Sequence, residues 1–346
     1  MKRYGYLYEK IYNKDNLRRA IINASNGKHN RENVRYILNN IDHYTDILYA
    51  LLVEEMFEPS PYNCFTIYDQ SSNKEREIFA PKFFPDQVVH WAIMQVIQPY
   101  LELPMYHLSC GSRPYKGAHY GKRYLEKWLK NDIKHTKYCL KLDIRKFYPS
   151  IKQSKLMDLL DCKFKDEKLL NLLYSIISST ENGIPIGNYT SQWFANYYLT
   201  PLDNYIKCDL RIKYYIRYMD DMVILGSNKK ELHKTKIKIE RFLNDYGLSL
   251  KDNWQVFRVD DRSIDFMGFR FYHNRTILRK RTALRIRRKF RRASKNLNYK
   301  NASACMSYMG WVKSADMKNF YLKYISPYFN IKMAKEVIRN ENRKRC

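Results

Sequence analysis

Two short runs of β-branched and aromatic residues, 213–218 and 222–225, are separated only by Met219-Asp220-Asp221. Runs this short with so tight a join predict two antiparallel strands closed as a hairpin, with adjacent carboxylates at its tip. Two like charges side by side in a turn repel, so the arrangement calls for either an exposed polar turn or a cation. Asp is common in turns, and Asp-Asp alone decides little. A third acid, Asp143, lies in a stretch where Tyr138, Leu140, Leu142 and Ile144 alternate with Cys139, Lys141 and Asp143. That period of two predicts another strand over 137–144.

The rest of the chain alternates less regularly. Tyr36, Ile37, Ile41, Ile47, Leu48, Leu51 and Leu52 give helical spacing in the first 60 residues. Residues 62–80 read as extended and loop-like around Asp69-Gln70-Ser71-Ser72-Asn73, and a long helix with Val89, Ile93, Val96 and Ile97 on one face follows Pro85-Asp86. Further helices are predicted at 154–180, 190–206 and 229–245, with a strand over 263–272 interrupted by Gly268. Strands and helices mixed without strict alternation predict an α+β fold with a mostly antiparallel sheet. Neither repeats nor a Gly/Ser-rich linker divide the chain.

Charge narrows the partner. The 346 residues carry 63 Lys+Arg against 35 Asp+Glu, a net +28, and 45% of them are hydrophobic. That apolar content excludes a disordered basic tail, and the charge calls for a polyanion, nucleic acid before a membrane surface. The most apolar stretch, 88–108, is broken by His90, Gln95, Gln98, Pro99, Glu102, Pro104 and His107, so no membrane span is expected. No apolar run follows Lys2 and Arg3, so no signal peptide is expected. Seven scattered cysteines and eight dispersed histidines match no zinc spacing and point to reduced thiols in a cytoplasm. From Arg275 to Lys295 eleven Lys/Arg occur with no acid, while Ala283, Ile286, Phe290, Ala293 and Leu297 recur at steps of three and four. This predicts an amphipathic helix whose cationic faces track phosphates.

Hard divalent cations take oxygen ligands, and a pair of Mg²⁺ ions about 3.5–4 Å apart can clamp both reacting oxygens in phosphoryl transfer. Three carboxylates on two neighbouring strands suit such a site. Here the chain resembles reverse transcriptases. Tyr218-Met219-Asp220-Asp221 is similar to their Y-x-D-D box, and Asp143 to Tyr148 to their first catalytic motif, D-x-x-x-F-[FY]. Arg76-Glu77-Ile78 and Phe84 to Val89 resemble the fingers motif, and Cys110 to His119 the next block. Gly183 to Gln192 resembles the template-and-nucleotide motif, and Phe266-Met267-Gly268-Phe269 the primer-grip strand. The blocks come in the family's order across nearly the whole chain.

The resemblance implies a right-hand polymerase fold, with fingers and palm over 1–275 and a basic helical thumb over 276–346. It implies RNA-directed DNA synthesis from dNTPs with two Mg²⁺ ions, for which Mn²⁺ could substitute. Asp143, Asp220 and Asp221 would be catalytic and would hold the metals, together with the Ile144 backbone. Lys74, Arg76, Tyr148, Ile186, Gly187 and Met219 would surround the nucleotide, Tyr148 excluding a ribose 2′-hydroxyl. Lys74 and Arg76 read equally as surface cations, and Ile186 as a palm-packing residue. Arg113, Gln192, Lys251, Met267, Gly268, Arg287, Arg288 and Arg291 would contact template or primer. Arg113 could instead be structural, Gln192 a helix cap and Lys251 a solvated lysine.

One departure is informative. Group II intron-type enzymes carry Gln-Gly followed by Ser-Pro where this chain has Ile186-Gly187 and Ser191-Gln192. That form, with the Ser307-Tyr308-Met309-Gly310-Trp311 block, is similar to reverse transcriptases of diversity-generating retroelements. Membership would imply error-prone copying opposite template adenines of a template-repeat RNA, a cDNA product, a small basic oligomeric accessory protein, and a bacterial or phage cytoplasm. The alternatives are a retron- or phage-defence-type enzyme with the same chemistry, and a non-catalytic RNA-binding protein. No endonuclease domain is expected in a chain of this extent, and no acidic cluster points to RNase H.

Overall fold

The computed structural model describes residues 2–69 and 74–343. Four helices open the chain: α1 (Tyr8–Tyr12), α2 (Lys14–Ser25), α3 (Glu32–Asn39) and α4 (Ile41–Val53). Strands β1 (Asn63–Asp69) and β2 (Lys74–Ala80) follow, then α5 (Val88–Glu102), α6 (Ala118–Asn131) and β3 (Tyr138–Asp143). Next come α7 (Phe147–Ser150), α8 (Gln153–Asp161), α9 (Glu167–Ile177), α10 (Tyr189–Tyr198) and α11 (Thr200–Asn204). Strands β4 (Tyr214–Tyr218) and β5 (Asp221–Gly226) precede α12 (Lys229–Asp245). The chain finishes with β6 (Gln255–Arg258), β7 (Ile264–Phe266), β8 (Phe269–Phe271), β9 (Thr276–Leu278), α13 (Lys280–Lys295), α14 (Tyr299–Lys313), α15 (Lys318–Tyr324) and α16 (Ile331–Arg343). It is an α+β fold, as the irregular alternation predicts.

The chain divides into two compact units, each assembled from separated stretches. The first comprises 1–113, 142–212 and 235–254. Its helical core forms where α2 packs on α4 and α5, and α5 on α10. Leu17, Ala20, Ile21 and Ala24 line the buried face of α2, and Ile93, Ile97 and Leu101 that of α5. The spacing of three and four makes each a single apolar face. Asn13 caps α2 by accepting the Asp15 and Asn16 amides, a contact worth about 1 kcal/mol. β1 and β2 pair antiparallel from Asn63↔Ala80 to Asp69↔Lys74, so residues read as partly loop-like form a regular hairpin. Residues 70–73, at its predicted turn, lie outside the described residues.

The second unit comprises 114–141, 213–234 and 255–346. Its four-stranded sheet runs β4-β5-β3-β6, β4 pairing antiparallel with β5 and β3 with β6. Both hairpin strands are buried over four consecutive residues, a pattern that requires cover on both faces. The 263–272 stretch is two strands and not one: Phe266 pairs with Phe269 across Met267-Gly268. Positive φ at both residues, 50° and 86°, makes this a two-residue hairpin turn, which Gly favours. β9 completes that sheet against β8. The cationic helix therefore starts at Lys280, five residues later than its charge run, because 276–278 pair as strand. Ile286, Phe290 and Ala293 are buried on it as the apolar stripe predicts. The predicted 154–180 and 190–206 helices are each broken into shorter ones.

Candidate active site

Asp220 and Asp221 stand where the hairpin requires. Tyr218 pairs with Asp221 across Met219-Asp220, and Met219 takes a left-handed φ of 54°. Such backbone costs a non-glycine residue of order 1 kcal/mol and persists where its surroundings enforce it. Arg217 does so: fully buried on β4, it donates from its guanidinium to the Met219 carbonyl at 2.9 Å. Sequence reasoning passed over Arg217, although an arginine inside a strand otherwise made of buried residues is itself a signal. Lys141, on β3, lies 3.6 Å from the Asp221 carboxylate and donates to the Asp265 carbonyl at 2.7 Å.

Asp143 closes β3, and β3 neighbours β5 in the sheet order. In the first unit, its carbonyl accepts the Lys251 amide at 2.8 Å, and Ile144 bridges Leu250 in antiparallel fashion. This short pairing carries Lys251 back onto Asp143, and the lysine ammonium is ion-paired with Oδ1 of the carboxylate. Lys251 is thus engaged by a candidate catalytic acid, whose charge it offsets.

Among the described residues no three Asp, Glu, His or Cys side chains close into a ready metal cage. The donor chemistry nevertheless fits Mg²⁺: oxygen donors only, with a lysine ammonium already drawn to Asp143 and another near Asp221. Both carboxylates are about one-third exposed, at 32% and 29%, and so accessible to an ion.

Around the expected nucleotide, Tyr148 is half-buried on α7 just after Lys146, whose φ is 43°. Its carbonyl accepts the Ile184 amide at 3.1 Å. Gly183 fits beneath because a Cβ there would lie 2.3 Å from that carbonyl oxygen. Ile186 is half-buried, and its carbonyl accepts the Phe79 amide of β2 at 2.8 Å. Gly187, at φ 147°, would place a Cβ 2.1 Å from the Phe79 oxygen. Only glycine permits this close crossing. Arg76 is exposed on β2, and Lys74 opens that strand with its side chain outside the described residues.

A polar relay unforeseen from the sequence holds the same turn. Asn188 Nδ2 donates to Tyr62 Oη at 2.8 Å, and Tyr62 lies 2.7 Å from Ser179 Oγ. Ser179 gives its own proton to the Ile176 carbonyl, so Tyr62 must donate to Ser179. Burial raises the Tyr62 phenol above its ordinary pKa, which keeps it a donor.

The template and primer set separates. Arg113 is nine-tenths buried, donates twice to Glu102 at 3.1 and 2.9 Å, and donates to the Tyr106 and Ser109 carbonyls. Its guanidinium braces the 102–113 segment, as the structural alternative for this residue has it. Gln192 is exposed inside α10, three residues past its start, so it is not the cap. Met267 is buried against Gly121, where a Cβ would meet its sulfur at 2.7 Å. Gly268 faces the Trp311 ring, which stacks on Phe269 at 5.1 Å. The close approach at Gly268 is taken by the protein's own tryptophan. Arg287 and Arg291 lie over the Tyr324 and Tyr328 rings at 4.5 and 6.0 Å, and Arg288 is exposed.

An antiparallel sheet carrying Asp-Asp on a hairpin tip is a feature of palm-type polymerases. A profile for reverse transcriptases (RNA-dependent DNA polymerases) matches residues 84–271, a little over half of the chain. The chain belongs to the reverse transcriptase family. It is 23% identical over 222 residues to the group II intron-encoded protein LtrA of Lactococcus lactis subsp. cremoris, covering 61% of this chain and 34% of that protein. The chain thus spans about a third of that relative's length. It is 27% identical over 213 residues to the retron Ec73 reverse transcriptase of Escherichia coli, covering 56% and 67%. Among solved structures, telomerase from Candida albicans superposes with a TM-score of 0.52 at 13% identity, over 83% of this chain and 60% of that one. That likeness shows a shared fold.

Proposed function

We propose that the protein is an RNA-directed DNA polymerase in which Asp143, Asp220 and Asp221 supply the metal-binding oxygens. The observation that carries this reading is the pairing of Lys251 with Asp143 in a chain of this family: a positive charge already sits where a catalytic cation belongs. Bound Mg²⁺ would supply Lewis-acid activation of the primer 3′-hydroxyl and charge neutralisation at the leaving pyrophosphate. The chain's own residues do the rest. Arg217 holds the Met219 carbonyl and with it the tip bearing Asp220. Tyr148 blocks a 2′-hydroxyl, Arg76 grips the triphosphate, and Ile186, strapped to β2, checks the pair by shape alone because it offers no hydrogen bond. The 1–275 region acts as fingers and palm and the 276–346 region as thumb. Primer extension with Mg²⁺ tests this: Asp220→Ala should abolish synthesis while RNA binding persists, and normal extension by that variant rejects the reading.

Ile186-Gly187 with Ser191-Gln192 favours a diversity-generating retroelement enzyme, copying a template-repeat RNA with errors opposite adenine and working with a basic accessory protein in a bacterial cytoplasm. Sequencing cDNA made by wild type and Ile186→Gln tests this. Errors concentrated opposite adenine and reduced in the variant support it; identical spectra reject the role of Ile186. The retron relative at 27% identity favours a second reading, a retron-type enzyme with the same chemistry and another RNA. That enzyme would show no adenine bias.

A further inference from the structure

We propose that the partly exposed aromatic stripe of α6 is a second nucleic-acid surface that stacks an unpaired stretch of RNA. The buried side of α6 is fully occupied by Gly121, Lys122, Leu125 and Leu129. Beside that face, Tyr120, Tyr124 and Trp128 recur every fourth residue and are partly exposed. Their ring centroids are 5.1 and 6.5 Å apart, and the row continues to Tyr214 of β4 at 5.3 Å. A helix face that needed only solvation would carry Lys and Glu here; these rings recur with the helical rise of about 6 Å per four residues, inclined to their neighbours by 47°, 68° and 53°, and unpaired bases can stack on such aromatic surface. Tyr115, 98% exposed and held at φ 58°, adds a further ring in solvent five residues before Tyr120.

Cations interleave with these rings. Lys116 lies 4.2 Å over the Tyr120 ring and donates to its hydroxyl at 3.1 Å, and Arg123 covers the same ring at 5.6 Å. Lys127 and Lys130 are exposed along the helix. Residues 114–141 contain eight Lys/Arg and only two acids. Both acids are committed: Glu126 to Lys122 at 2.7 Å, and Asp132 to His135, Lys213 and the Tyr214 hydroxyl. The face is therefore positive as well as aromatic. A duplex presents phosphates and hides its base faces, whereas an unpaired strand offers both, so a single strand is the occupant this chemistry fits. The choice of RNA over DNA rests on the proposed polymerase function, in which the template is RNA.

The test is fluorescence titration of the full chain with a 20-nucleotide oligo-uridine, a 20-base-pair RNA duplex and oligo-thymidine. Tyr120→Leu/Tyr124→Leu/Trp128→Leu keeps apolar bulk but removes the rings; it should weaken oligo-uridine binding at least tenfold and duplex binding less than twofold. Tyr124→Phe should bind within twofold of wild type. Should the triple variant not fold, Lys116→Gln/Arg123→Gln/Lys127→Gln changes only polar surface. It should flatten the salt dependence of oligo-uridine binding by roughly 2 in the log–log slope. Oligo-uridine affinity unchanged in both variants overturns the proposal, whether the stripe then docks a protein or only packs. Equal losses on duplex overturn stacking, and tighter oligo-thymidine than oligo-uridine binding overturns the assignment to RNA. Extension of a short primed template should be retained by the triple variant. A wild type that extends nothing refutes the polymerase function without touching the titration.

Discussion

Lys251 is ion-paired with Asp143, 108 residues away in the chain, because an antiparallel bridge between Ile144 and Leu250 sets the two side by side. Both side chains are about a quarter to a third exposed, so the pair is worth roughly 0.5–1 kcal/mol and a divalent ion can displace it. Lys251→Gln is expected to lower the half-saturating Mg²⁺ concentration for primer extension roughly two- to fivefold. In EDTA the variant should melt below wild type, and Mg²⁺ should close the gap. A metal titration of extension rate, with thermal melts in both conditions, measures this.

Tyr148 stands half-buried after the left-handed turn at Lys146, its backbone locked by Gly183 and Ile184. Its ring lies beside that of Phe147, centroids 5.7 Å apart. Tyr148→Val should narrow the ratio of dNTP to rNTP kcat/KM by about tenfold or more while leaving dNTP use within a few-fold. Unaltered sugar discrimination would remove Tyr148 from this role.

The relay from Asn188 through Tyr62 to Ser179 holds the Ile186 turn without touching a nucleotide in the chain as it stands. Tyr62→Phe and Asn188→Ala should each raise KM for dNTP several-fold with little change in kcat. Each should cost about 1 kcal/mol in urea unfolding. The double variant should be scarcely worse than either single, because both break one relay; additive effects would show two independent contacts.

His90 is fully buried on α5, and neither ring nitrogen has a hydrogen-bond partner among the described residues. Burial pushes its pKa down to about 3, well below the ordinary 6.5. The unfolded chain therefore takes up a proton that the folded chain refuses. Stability attributable to this site is whole above pH 6.5 and falls as pH drops from there toward 3. At pH 5 the loss is ~2 kcal/mol. His90→Leu should make the urea midpoint less sensitive to pH between 7 and 5; equal sensitivity would show that other groups dominate.

The hairpin around Asp220-Asp221, the strand ending at Asp143 and the stripe Ile286–Phe290–Ala293 were legible because each is a local pattern. The hairpin inside 263–272 was misread as one strand because its turn residues, Met267 and Gly268, sit between apolar residues that suit either arrangement. The predicted 154–180 helix breaks near Cys162, where neither Pro nor Gly marks the end. Arg113 was ambiguous for another reason: an arginine bracing carbonyls and an arginine reaching for phosphate are the same letter. Only its burial against Glu102, Tyr106 and Ser109 separates them.

The sequence by itself determined which atoms this protein can do chemistry with: three carboxylates at spaced strand ends, a tyrosine five residues after the first, and a large excess of cations. Those follow from residue type and short-range periodicity, which act within a few residues. Tertiary structure decided what each meets. Lys251 reaches Asp143, Tyr62 reaches Asn188, Trp311 covers Gly268, and the α6 rings stay partly exposed. Each of these is set by distant strands and helices packing together, and that packing is governed by buried area and shape summed over the whole chain. No local pattern encodes it.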